Sequence, residues 1–265
     1  MKPAPFEYRA PQSVDEALAL LGEDVKVLAG GQSLVPLLNF RLARPQRIVD
    51  INGVEELAYI REDEAGSLRI GALVRQAALE RSPLVAERWP LLSQAVRLVG
   101  HPQIRSRGTV CGSVAHADPA AELPVALTAL DARFHARSSA GARTLSAAEL
   151  FAGPLTTTLA ADELLTEIEV PPLPADARCG FCEHARTHGD FAIAGAALMH
   201  APDRAAVALL GAGWTPVRAT AAERALSSGA GADEVASLAA ELVEDEYRAA
   251  LMRALVKRAA SEASA

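Results

Sequence analysis

The chain has 265 residues, half of them hydrophobic but only 4% aromatic, with 33 acids against 26 bases and a formal charge of −7. That size accommodates one large or two modest domains around an aliphatic core, and the acidic balance excludes nucleic-acid binding through a broad basic surface. Three cysteines cannot all pair or ligate a four-cysteine iron–sulfur cluster; with no signal core in Met1–Tyr8 and no run of ~18–20 apolar residues for a membrane span, a reduced, cytoplasmic protein is expected.

Ser13 and Glu16 have the capping-box spacing, which predicts a helix from Val14 to Leu21 ending at Gly22. Val25 to Leu28 reads as a short strand that delivers the chain into Ala29-Gly30-Gly31-Gln32-Ser33. Leu34, Leu37, Leu38 and Leu42 then follow helical spacing, with Pro36 in the first turn, and Arg47 to Ile51 is the next strand. A strand is expected over Ser67–Ala72 and helices over Arg75–Arg81 and from Trp89 to Val99, the latter stopped by Gly100-His101-Pro102. Ile104-Arg105-Ser106-Arg107 leads into a central loop, Gly108-Thr109-Val110-Cys111-Gly112-Ser113, that runs on through His116 and Asp118 to Glu122. A helix follows over Glu122–Leu130, then a strand over Arg133–Arg137, a short helix near Ser146–Phe151 and a strand over Leu164–Val170.

Pro171-Pro172-Leu173-Pro174 is the expected domain boundary. Beyond it, Cys179–Arg186, Ala192–His200 and Arg204–Leu210 read as an antiparallel meander. Ala219–Leu226, Asp233–Leu242 and Tyr247–Ala259 read as helices, the last with a basic face of Arg248, Arg253, Lys257 and Arg258 that suits either solvent or a docked partner.

The two glycine loops carry the chemistry. Glycine pairs let successive backbone N–H groups converge on an anion, and Ser33, Thr109 and Ser113 add hydroxyl donors. Two such loops facing each other suit a pyrophosphate, and Glu122 suits ribose hydroxyls as their acceptor. The bland alternative is that each loop is only a turn. The chain holds neither G-x-G-x-x-G nor G-x-x-x-x-G-K-[ST], which disfavours a Rossmann or P-loop site. Cys179-Gly180-Phe181-Cys182 falls in an expected strand rather than at a helix start, so it reads as structural. Cys111 reads as a small filler that places its N–H on the ligand, His116 and Asp118 as a local hydrogen-bonded pair, and Thr187 to Phe191 as a tight turn.

The order and spacing of Ala29 to Leu34, Ile104-Arg105, Gly108 to Ser113, Ala117-Asp118-Pro119-Ala120-Ala121-Glu122-Leu123-Pro124 and Gly189-Asp190-Phe191-Ala192 carry a resemblance. The chain resembles the FAD-binding medium subunits of molybdenum hydroxylases of the xanthine dehydrogenase and carbon monoxide dehydrogenase type. Thr215-Pro216-Val217-Arg218-Ala219, Glu223 and Tyr247-Arg248 resemble the C-terminal domain of that family. The resemblance implies an α+β fold. A two-lobed flavin-binding domain of the vanillyl-alcohol-oxidase/PCMH-like type would span 1–174, with lobes of about 1–55 and 56–174. A smaller C-terminal domain of three-stranded antiparallel sheet plus helices would span 175–265. It implies that Val27, Leu28, Ala29, Gly30, Gly31, Gln32, Ser33 and Leu34, with Thr109, Val110, Cys111, Gly112 and Ser113, wrap the FAD pyrophosphate. Glu122 would stand near the ribose and adenine half, Asp118 would belong to the cofactor-binding set, Val99 and Leu165 would make apolar contacts on the nucleotide and the ring, and Asp190 would stand near the isoalloxazine. Cys111 departs from the commoner T-[IV]-G-G, and Cys182 lies near where a family member has a lysine beside the flavin. Expected partners are a molybdopterin-binding large subunit and a 2Fe-2S small subunit, as a dimer of heterotrimers, with electrons passing through FAD to an external acceptor. The rival readings are a self-sufficient FAD oxidoreductase of the same fold and a non-catalytic scaffold subunit.

Overall fold

The computed structural model describes residues 2–263. It opens with a small parallel unit: β1 (Glu7–Arg9), α1 (Val14–Leu20), β2 (Val25–Leu28), α2 (Leu34–Asn39) and β3 (Arg47–Asp50), with the strands in the order β1-β3-β2. The Ser13 hydroxyl accepts the Glu16 N–H at 3.2 Å as expected, but the Glu16 carboxylate accepts from the Gln12 N–H rather than completing the box at Ser13. The closed capping box of the chain is Ser146 with Glu149. Leu42 falls outside α2, because the chain turns left-handed at Arg41, with φ of 57°.

The middle of the chain adds β4 (Ile60–Glu62), β5 (Leu68–Gly71), α3 (Gln76–Arg81), α4 (Pro83–Arg88), α5 (Pro90–Leu98), α6 (Pro102–Arg107), α7 (Val110–His116), α8 (Glu122–Ala129), β6 (Arg133–Ser138), β7 (Gly141–Leu145), α9 (Ala147–Leu150), the small hairpin of β8 (Phe151–Gly153) and β9 (Thr156–Thr157), and β10 (Leu164–Val170). Five of these strands form an antiparallel sheet in the order β4-β5-β10-β6-β7. Its inner positions, among them Leu68, Ile70, Phe134, Ala136 and Ile168, are sealed from solvent. The outer positions carry an ion-pair ladder in which Arg69 meets Asp63, Glu167 and Glu169. That alternation is what period-two side-chain geometry demands of a half-buried sheet. Every residue of α8 is buried, which makes it the central rod of the molecule.

The C-terminal part contributes β11 (Arg178–His184), β12 (Ala194–Ala201), β13 (Arg204–Leu210), β14 (Val217–Arg218), α10 (Thr220–Ser227), α11 (Ala232–Ala240) and α12 (Glu246–Glu262). The expected three-stranded meander is present, and the two-residue β14 extends it to four strands. One face of this sheet, including Phe181, Ala197, Met199 and Ala208, joins the main core, while the other, including Cys182, Leu198, Val207 and Leu209, packs beneath α10 to α12. On α12, Lys257 pairs with Asp233 at 2.6 Å and Arg258 with Glu262 at 3.2 Å, so part of the basic face is spent within the chain.

Candidate flavin site

The first glycine loop joins β2 to α2. Gly31 takes a φ of 74°, a conformation that costs an L side chain but not glycine. The turn leaves a run of donors: among the described residues, none of the N–H groups from Gly30 to Leu34 donates to a protein acceptor. Gln32 braces the turn by donating its side-chain amide to the Gly30 carbonyl at 3.2 Å.

The second loop is shorter than its sequence suggests. Ile104 to Arg107 lies in α6, and the stretch from Val110 onwards is already α7, so the turn reduces to Gly108 and Thr109. This corrects the expectation of an open loop running from Gly108 to Glu122. Proline at the first position of α6 and threonine at the cap of α7 are the local causes. The Thr109 hydroxyl accepts the Gly112 N–H at 3.1 Å, and the Ser113 N–H goes to the Thr109 carbonyl. Val110 donates to Val74, which leaves the Cys111 N–H without a protein acceptor among the described residues.

The loops meet. A β-carbon built on Gly30 would stand 2.6 Å from the Arg107 carbonyl oxygen and 2.9 Å from the Thr109 nitrogen. Beside this contact opens a cavity of about 620 Å³, within the range of cofactor sites. Of the residues selected from sequence, Val27, Ala29, Gly30, Gly31, Gln32, Ser33, Leu34, Val99, Thr109, Cys111, Gly112, Ser113, Asp118, Glu122, Leu165 and Asp190 line it. Leu28 lines instead a smaller adjoining cavity of about 350 Å³. Val110 lines neither; it is fully buried in the core with its N–H used by Val74.

Asp190 reaches the cavity because Gly189, with φ of 83°, lies directly over the His101 imidazole, and a side chain there would collide with that ring. The His101 and His188 rings meet edge-on at 6.0 Å. Asp118 accepts the Ala120 N–H at 2.9 Å, closing the turn into α8, so its partner is that amide and not His116 as the sequence suggested. Glu122 opens α8 with its carboxyl buried; burial pushes it up to about 7, and the nearby Asp118 charge adds to this. Glu183 on β11 is likewise pushed up to about 8, first by burial and then by the Glu122 charge, and its Oε2 has no hydrogen-bond partner. A carboxyl held close to neutrality can accept from hydroxyls when ionised and donate when protonated.

All three cysteines are free and buried. Cys179 and Cys182 are three residues apart on one strand, so they point to opposite faces, one into each core cluster. Cys182 therefore faces the C-terminal helices and does not line the cavity. No group of three His, Cys, Asp or Glu among the described residues is arranged to hold a metal. Gln76 and Leu155 also line the cavity, and no motif marked them. Gln76 is buried beside Gly108 with its Oε1 unpartnered, and Leu155 holds a left-handed φ of 53°.

Residues 4–173 match the family model described as the FAD binding domain in molybdopterin dehydrogenase. The chain is 43% identical to the 6-hydroxypseudooxynicotine dehydrogenase complex subunit alpha of Paenarthrobacter nicotinovorans, over 99% of this chain and 96% of that one. It is 45% identical to the caffeine dehydrogenase subunit beta of Pseudomonas sp. (strain CBB1), over 84% and 79% of the two chains. Among solved structures, a chain of the carbon monoxide dehydrogenase from Hydrogenophaga pseudoflava, in a form lacking the Mo-pyranopterin moiety of the molybdenum cofactor, superimposes with a TM-score of 0.93 at 38% identity, covering 100% of this chain and 99% of that one.

Proposed function

The chain belongs to the family of FAD-binding domains in molybdopterin dehydrogenases, and from that premise we propose that it is the flavin subunit of a heteromeric molybdenum hydroxylase. In that role the chain would hold the FAD through which electrons from an iron–sulfur partner would reach an external acceptor. The observation that carries this reading is the run of unpaired N–H groups from Gly30 to Leu34, set against the Gly108–Thr109 turn and the first residues of α7 across a cavity of fitting size. Such a run offers main-chain N–H donors to a pyrophosphate, and Lys26 also lines the cavity.

FAD supplies the two-electron and one-electron chemistry when bound. The chain's own part is to hold and shape. Gly30 to Leu34 and Cys111 offer main-chain donors to the phosphates, and Ser33, Thr109 and Ser113 offer hydroxyls. Asp118 and Glu122 serve the ribose and adenine half; Val27, Val99 and Leu165 give apolar walls, and Asp190 stands at the ring end. Electron transfer needs no general base.

The partners in this reading are a molybdopterin-binding large subunit and a 2Fe-2S small subunit, assembled as a dimer of heterotrimers. Support comes from relatives that are subunits of named dehydrogenase complexes. The cytoplasm suits three free buried thiols, and no helix among the described residues is long and apolar enough to cross a membrane. The flavin domain extends over 1–174 and the C-terminal domain over 175–265. The meander's two-sided burial, one face on the main core and one under its own helices, supports a boundary in the Pro171–Pro174 segment.

Co-purification with metal analysis and spectroscopy tests the assignment. The complex is expected to carry molybdenum and iron, with a flavin band near ~450 nm that travels with this chain. A chain that stays colourless and takes up no FAD on titration, alone or in the complex, overturns it.

A further inference from the structure

Two side chains outside the larger cavity tie its glycine loops together. Asn52 sits in the turn Ile51–Gly53 after β3, and Arg75 caps α3. The Asn52 Nδ2 donates to the Ala29 carbonyl of the first loop at 2.9 Å and to the Asp50 Oδ1 at 2.6 Å. Its Oδ1 accepts from Arg75 Nη2 at 2.5 Å. Arg75 Nη1 donates to the Arg107 carbonyl, immediately before the second loop, at 2.5 Å. The amide can point only one way, because arginine only donates and the Ala29 and Asp50 oxygens only accept. Asp50 is fixed in turn by the Tyr8 hydroxyl at 2.5 Å. The backbone of Arg75 also bridges Thr109, with Gln76 N–H donating to Gly108 and Val110 N–H to Val74.

We infer that Asn52 and Arg75 form a clasp that sets the spacing of the two glycine loops, and so positions their amides for the FAD pyrophosphate; this rests on the flavin reading above. Neither residue lines the larger cavity, so both act through the loops and are positioning residues. Asn52 borders the smaller cavity, which shares Ala29 to Gln32 with the larger one. The clasp is serial: Ala29 carbonyl, Asn52, Arg75, Arg107 carbonyl. Cutting any link releases the same constraint, so the effects of cutting two links do not add.

The test is a double-mutant cycle on FAD affinity in the full-length chain, with melting temperature measured alongside. Asn52→Ala and Arg75→Ala are each expected to weaken FAD binding by roughly tenfold to a hundredfold, and the double variant no more than the weaker single. Arg75→Lys keeps the positive charge but cannot span both oxygens, so it is expected to lose affinity as well. Amide exchange at Val35 and Leu37, whose N–H groups are held by the Gly31 and Ser33 carbonyls of the first loop, should quicken in all four variants while β12 stays protected. Full FAD affinity in Arg75→Lys, or single effects that multiply in the double variant, overturns the clasp. A wild-type chain that takes up no FAD overturns the flavin reading instead.

Discussion

Gly30 lies against Gly108 so closely that a β-carbon on the first would stand 2.7 Å from the Cα of the second. The neighbours at that point are backbone atoms of a different element, which cannot swing aside as a flexible side chain does. Gly30→Ala is therefore expected to push the two loops apart and to weaken FAD binding by an overpacking cost of about 1–3 kcal/mol. Gly153→Ala is the control, since a β-carbon there meets nothing within 4 Å. Flavin occupancy after purification and a fluorescence titration read both variants; equal occupancy in the two would remove the steric argument.

The buried carboxyls make the stability of the FAD-free chain fall with rising pH. Burial holds Glu122 at about 7 and Glu183 at about 8, both above the ordinary carboxyl value of 4.5. Between the unfolded and folded values the native state binds more protons than the unfolded one, so stability declines as pH rises. Glu122 contributes its decline between about 4.5 and 7, and Glu183 between about 4.5 and 8. Melting temperature measured from pH 5 to 8 is expected to drop in the wild type and to flatten in Glu122→Gln combined with Glu183→Gln. A melting temperature that climbs across this window contradicts the assignment.

Thiol chemistry should be nearly silent in the folded protein. Burial pushes Cys179 up to about 11 and Cys182 up to about 12, and raises Cys111 further. The thiolate is the reactive form, so little of it exists at neutral pH, and burial blocks access as well. Native protein treated with a thiol reagent at pH 7.5 is expected to react slowly, and unfolded protein to release all three thiols at once. Fast labelling of one residue in the native state would point to a local opening at that site.

Much of this was legible in the sequence, and the failures have identifiable physics. Arg204–Leu210 is a strand with the expected bounds because an apolar run between turn residues admits little else. The glycine pair at Gly30-Gly31 marked the first loop through local conformational need, visible in composition. From Thr109 onwards, glycine and small residues mask a helix whose start signal is a single threonine. The helix Pro83–Arg88 was missed although Ser82 and Pro83 form a capped start. The link between Asn52 and Arg75 has no local signature, since it depends on a meeting of distant segments that no local pattern encodes.

In the proposed site Thr109 has two separable duties, and three substitutions divide them. Its oxygen lone pair already accepts the Gly112 N–H at 3.1 Å, which leaves the hydroxyl hydrogen for a phosphate oxygen. Thr109→Val removes both and is expected to lose about 1 kcal/mol of stability, the usual worth of such a cap, along with FAD affinity. Thr109→Ser keeps both and should behave as wild type. Thr109→Asp keeps the cap, because a carboxylate oxygen can accept the Gly112 N–H, and has no hydrogen to give. Denaturant unfolding of the FAD-free chain reports the cap, and FAD titration reports the donor. If Thr109→Asp keeps full FAD affinity at wild-type stability, the hydroxyl has no separate part in holding the phosphate.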